Sequence, residues 1–125
     1  MTKRILYIED NEQNLYLVTF ILERRGYQVV AARDGRAGIE IAATSRTDLI
    51  LLDIQLPVMD GYTVARQLRT NPDLARIPIV AVTSYAMAGD REKALAAGCN
   101  GYIEKPINPD TFLQQVESHL SSQKP

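Results

Sequence analysis

Four apolar runs, at residues 5–8, 29–32, 49–52 and 79–82, constrain this chain most: each is only four residues long, and three are closed by an acidic or hydroxyl residue, Glu9, Asp53 and Thr83. Such runs are too short for helices, and unbroken apolarity without alternation suits strands covered on both faces of a parallel sheet. Residues 101–104 make a fifth, weaker candidate. Between the runs, apolar residues recur at helical spacing. Leu15, Val18, Ile21 and Leu22 share one face behind a capping Asn11, and Gly26 ends that helix. Residues 35–43 predict a second helix and 63–69 a third, broken by Asn71-Pro72-Asp73. Residues 88–97 predict a fourth, closed by Gly98, and 108–120 a fifth with Phe112, Leu113, Val116 and Leu120 inward and Pro109 in its first turn.

Five strand-then-helix units imply an α/β domain with right-handed crossovers. At 125 residues one domain spanning the chain is expected, with a core over about residues 3–120. A net charge of -1 supplies no global basic field for nucleic acid or anionic lipid, and no apolar run approaches the length that spans a bilayer. The single cysteine, Cys99, cannot form an internal disulfide, and the start carries too short an apolar stretch for a signal peptide. The expectation is a cytoplasmic protein with no nucleic-acid or membrane partner.

In open parallel sheets, ligands bind beyond the carboxyl ends of the strands. There the sequence delivers Glu9 and Asp10 after the first strand, Asp53 at the end of the third, Thr83 at the end of the fourth and Lys105 after the fifth. Any one of these fits a helix start or a turn. Together, three carboxylates at one edge repel one another unless Lys105 or a cation compensates, and a hard divalent ion such as magnesium takes carboxylate and phosphate oxygens. The constellation points to phosphoryl chemistry. Asp53 ends the most apolar strand and is the better nucleophile, able to form an acyl phosphate, while Lys105 and the Thr83 hydroxyl would meet oxygens of the transferred group.

Ile8-Glu9-Asp10-Asn11, the segment 51–61 around Asp53, Ala81-Val82-Thr83-Ser84 and Tyr102-Ile103-Glu104-Lys105-Pro106, in this order and spacing, resemble the receiver domain of bacterial two-component response regulators. The resemblance implies a flavodoxin-like sheet of order 2-1-3-4-5. It implies Asp53 as phosphoacceptor, and Asp10, Asp53 and the Gln55 backbone carbonyl as Mg2+ ligands with Glu9 acting through metal-bound water. It further implies Thr83 and Tyr102 as a coupled switch, Lys105 as the active-site lysine, a cis Lys105–Pro106 bond, and Gln55 and Tyr85 as variable positions that set the phosphoryl lifetime. The partners implied are a sensor histidine kinase or histidine phosphotransfer protein, and a downstream target at the face of the fourth helix, fifth strand and fifth helix, through Ala88, Lys93, Glu104 and Gln115.

Asp60-Gly61 reads as a turn, Cys99 as an inert thiol and His119 as a surface residue. With no output segment expected beyond the fifth helix, the output would be binding. Two alternatives compete: a receiver-like scaffold that is never phosphorylated, and a Mg-dependent aspartyl-phosphate phosphatase of the haloacid dehalogenase type. The second wants another acid and a Thr soon after the nucleophile, and Asp53-Ile54-Gln55-Leu56-Pro57 offers neither. No glycine-rich nucleotide loop is present.

Overall fold

The short apolar runs pair side by side into one parallel sheet in a computed structural model that describes residues 2–84 and 89–121. The elements alternate as β1 (Arg4–Ile8), α1 (Glu12–Arg24), β2 (Gln28–Ala32), α2 (Gly35–Thr44), β3 (Leu49–Asp53), α3 (Gly61–Arg69), a 3-10 turn at Pro72–Leu74, β4 (Ile79–Thr83), α4 (Asp90–Ala96), β5 (Gly101–Glu104) and α5 (Pro109–Ser121). The strand order is β2-β1-β3-β4-β5 with every pair parallel. The first crossover runs outward from β1 to β2 and the second returns to β3 on the other side. The crevice where the order reverses therefore opens between the ends of β1 and β3.

Alternation along each strand divides the core into two layers. Leu6, Ile8, Ile50, Leu52, Ile79 and Ala81 pack with Val64, Leu68 and Ala94 of α3 and α4. Ile5, Tyr7, Leu49, Leu51, Val80 and Val82 pack with Leu15, Val18, Phe112 and Val116 of α1 and α5. All five residues of β3 and of β4 are buried, as continuous apolar runs require. β2 departs from that expectation. It is an edge strand with only Ala32 buried, because one of its sides has no neighbouring strand. No helix among the described residues is long and apolar enough to cross a membrane.

The starts of α1, α2 and α3 carry side-chain caps: Asn11 accepts from the Asn14 amide, Asp34 from Ala37 and Asp60 from Thr63. The Asp60-Gly61 pair thus opens α3 rather than making a separate turn, and α3 starts at Gly61. The expected start of the fourth helix at Ala88 lies outside the described residues, where Tyr85 also falls.

Candidate functional site at the carboxyl edge of the sheet

Strand register assembles the acidic cluster. Ile8 lies opposite Leu52, so Glu9 and Asp10 leave β1 alongside Asp53, and Asp53 lies opposite Val82. Thr83 lies opposite Glu104, and the Lys105 amide donates to the Thr83 carbonyl at 2.7 Å. The period of two then sorts the side chains. Asp53 follows Leu49 and Leu51 onto the α1/α5 face, where Glu9 follows Ile5 and Tyr7, while Thr83 follows Ile79 and Ala81 onto the α3/α4 face.

Glu9 and Asp53 are buried, at 0% and 2% exposure, whereas Asp10 is exposed. The Lys105 ammonium reaches both buried acids, lying 2.9 Å from Glu9 Oε1 and 3.5 Å from Asp53 Oδ1. Burial pushes the Asp53 carboxyl up to about 7, and contact with Glu9 adds to the rise; the Gln55 amide and the Lys105 charge offset part of it. For Glu9 burial also acts upward. Hydrogen bonds with Asp53, Lys105 and Tyr7 outweigh it and hold Glu9 below the usual carboxylate range. The net effect disfavours charge on Asp53 and favours it on Glu9.

Glu9, Asp10 and Asp53 each offer a carboxylate oxygen, all within 4.8 Å of one another. Three carboxylates against one ammonium leave an excess of negative charge that a divalent cation neutralises, and an all-oxygen donor set of this span fits Mg2+ bound partly through water. The Gln55 amide donates to Asp53 Oδ1 at 3.0 Å, fixing the chain just after the acid. Its side-chain oxygen accepts from the Ser84 amide at 3.2 Å, tying the β3 loop to the end of β4.

Thr83 is buried, while Tyr102 is half-buried and packs against the same layer as Ala94. The Lys105–Pro106 bond is cis. Sequence reasoning missed Tyr7, whose hydroxyl donates to Glu9 Oε1 at 2.7 Å. The signal was a lone hydroxyl inside an apolar strand, two residues before an acid and so on the same face. Two residues read as bystanders have more definite surroundings than expected. Cys99 is buried, which pushes its thiol up to about 11, away from the nucleophilic thiolate. His119 is half-buried with its ring against Gly101, and burial lowers its ring nitrogens below the usual imidazole range.

Residues 5–117 match the family described as the response regulator receiver domain. The polar-differentiation response regulator DivK of Brucella ovis is 40% identical over 120 residues, covering 96% of this chain and 98% of that protein. The receiver domain of the sensor histidine kinase PA1611 from Pseudomonas aeruginosa, whose crystal structure has a magnesium ion coordinated in the active-site cleft, is 36% identical with a TM-score of 0.89. That match covers 97% of this chain and 99% of the other. The Vibrio cholerae chemotaxis protein CheY4 is 28% identical with a TM-score of 0.90, over 94% and 98% of the two chains. Similarity of this extent in sequence and fold, together with the acidic cluster at the sheet's carboxyl edge, makes the chain a member of the response regulator receiver domain family of two-component signalling.

Proposed function

We propose that the chain is a phosphorylation-operated switch in which Asp53 accepts a phosphoryl group from the phosphohistidine of a sensor histidine kinase or a histidine phosphotransfer protein. The observation that carries this reading is the position of Asp53, buried at the end of the central strand between the Glu9 carboxylate and the Lys105 ammonium. An Asp53 oxygen forms a bond to phosphorus as the P–N bond of the donor breaks, and that bond's electron pair stays with the imidazole nitrogen. Attack needs the ionised carboxylate, which burial beside Glu9 disfavours without added positive charge. Asp10, Asp53 and the Gln55 backbone carbonyl would hold Mg2+, with Glu9 acting through water; when bound, the ion offsets the charge of carboxylate and phosphoryl oxygens. Lys105 donates to a phosphoryl oxygen, and the Thr83 hydroxyl donates to another.

The second half of the reading is output by binding. As Thr83 turns toward the phosphoryl group, Tyr102 follows it inward from the surface of β5. Partners would read the face of α4, β5 and α5, on which Lys93, Glu104 and Gln115 are exposed. The test is intact mass after incubation with Mg2+ and acetyl phosphate. Wild type gains one phosphoryl group and Asp53→Asn gains none. Labelling of the variant at the wild-type rate would overturn the phosphoacceptor assignment, and no labelling of either protein would favour the unphosphorylated scaffold.

A further inference from the structure

Tyr7 is the one polar side chain among the apolar residues at the carboxyl end of β1: Ile5, Leu6 and Ile8 beside it are hydrocarbon and equally buried. Its ring packs in the α1/α5 layer, where a phenylalanine would serve as well. The hydroxyl does something a hydrocarbon cannot, because it donates to Glu9 Oε1 at 2.7 Å. That oxygen is shared, since the Lys105 ammonium lies 2.9 Å from it, while Glu9 Oε2 accepts from the Asn11 amide at 3.3 Å. The glutamate arm makes this possible. Residues i and i+2 of a strand stand about 6.6 Å apart, and an aspartate, shorter by one carbon–carbon bond of about 1.5 Å, would not reach back to the phenol.

We propose that Tyr7 is a positioning residue that anchors the Glu9 carboxylate. This rests on the metal-binding part of the reading above. Lys105 serves two masters in that reading, Glu9 before the phosphoryl group arrives and a phosphoryl oxygen afterwards. If Lys105 alone held Oε1, its departure would leave the carboxylate with only the long 3.3 Å bond from the Asn11 amide to Oε2. The phenol keeps Oε1 engaged throughout, so the second oxygen stays available to a metal-bound water. The Tyr7 and Glu9 side chains act as a matched pair.

The test is a double-variant cycle read by calorimetric Mg2+ affinity in wild type, Tyr7→Phe, Glu9→Asp and the combination. Tyr7→Phe should weaken Mg2+ binding about three- to tenfold, in the range of a lost charge-assisted hydrogen bond only partly transmitted to the ion. In the Glu9→Asp background the same substitution should change affinity less than about twofold, because the phenol no longer reaches its acceptor. Equal effects in both backgrounds, or none in wild type, would overturn the inference. Loss of the folded circular-dichroism spectrum in Tyr7→Phe would also overturn it, by showing that the hydroxyl holds the core rather than Glu9. Absence of Mg2+ binding to wild type would sink this inference together with the metal reading, whereas Mg2+ binding without labelling of Asp53 would sink the phosphoacceptor reading alone.

Discussion

Two carboxyl groups buried together cannot both ionise freely: burial and the contact with Glu9 raise Asp53, while hydrogen bonds with Asp53, Lys105 and Tyr7 hold Glu9 down. Asp53, raised to about 7 from an ordinary 3.8, binds its proton more tightly in the folded chain than in the unfolded one. Its contribution to stability is therefore complete below about pH 4 and lost as pH rises through about 7. Glu9 works in the opposite sense: lowered in the fold, it contributes above its ordinary value and loses that contribution as acid protonates it. Asp53→Asn keeps the shape and removes the Asp53 part. In chelator, the melting temperature of Asp53→Asn should rise relative to wild type between about pH 5 and about pH 8, by the equivalent of a few kcal/mol at the alkaline end. A constant difference across that range would mean that Asp53 is ionised in the metal-free fold.

At the scale of elements, the site depends on how the β3–α3 connection closes against the strand that carries Asp53. Gly61 opens α3 with its amide donating to the Ile54 carbonyl at 2.9 Å, and a Cβ there would lie 2.5 Å from Ile54 Cα and 2.7 Å from the Asp53 carbonyl oxygen. Both obstacles are backbone, which cannot turn aside as a side chain would. Gly61→Ala should cost about 1–3 kcal/mol, lower the melting temperature and slow acetyl phosphate labelling by shifting Asp53; an unperturbed variant would show the loop to be slack. Farther from the site, the Arg69 guanidinium joins α3 to the connections before β4 and β5. It donates to the carbonyls of Gly98 at 2.9 Å, Leu74 at 2.9 Å and Ile77 at 2.8 Å, and to Asn100 Oδ1 at 2.7 Å. Asn100 Oδ1 also accepts from the Ile79 amide at the start of β4. Arg69→Met keeps most of the stem and orphans several part-buried carbonyls, so a loss of about 2–4 kcal/mol is expected in urea unfolding, with labelling at Asp53 unchanged.

For the whole molecule, an ion that binds the folded chain at Glu9, Asp10 and Asp53 must stabilise it by mass action. Mg2+ should raise the melting temperature of wild type, and the rise should shrink in Asp10→Asn. Equal stabilisation of both proteins would place the ion elsewhere. Transmission from Asp53 to a partner surface is tested by Thr83→Ala. The variant should still accept phosphate but lose most of the difference in partner affinity measured by calorimetry with and without beryllofluoride. A partner that prefers the phosphorylated form tenfold draws on only about 1.4 kcal/mol, so one hydroxyl's hydrogen bond is enough to carry the coupling. An undiminished affinity ratio would refute the Thr83–Tyr102 route while leaving Asp53 as phosphoacceptor.

Strand and helix identity was legible in the sequence because both are written in local periodicity: unbroken apolar runs for β1, β3 and β4, and i, i+3, i+4 spacing in α1 and α5. The strand-end residues Glu9, Asp10, Asp53, Thr83 and Lys105 were legible too, since a parallel sheet must deliver the residues that follow its strands to one edge. Strand order had to be inferred through family resemblance, because unbroken apolar runs do not say which strand lies beside which. Register, which lines up Asp53 with Val82 and Thr83 with Glu104, is a property of pairs of strands far apart in the chain. So is the exposure of β2, which follows from its having a strand on one side only. The Tyr7–Glu9 contact is local, between residues i and i+2 at one strand's end, whereas the Arg69 guanidinium acquires its partners only when the two connections before β4 and β5 converge on it. Periodicity along one segment specifies which face is buried; which polar atoms meet on that face depends on distances between segments, and those exist only once the chain has folded.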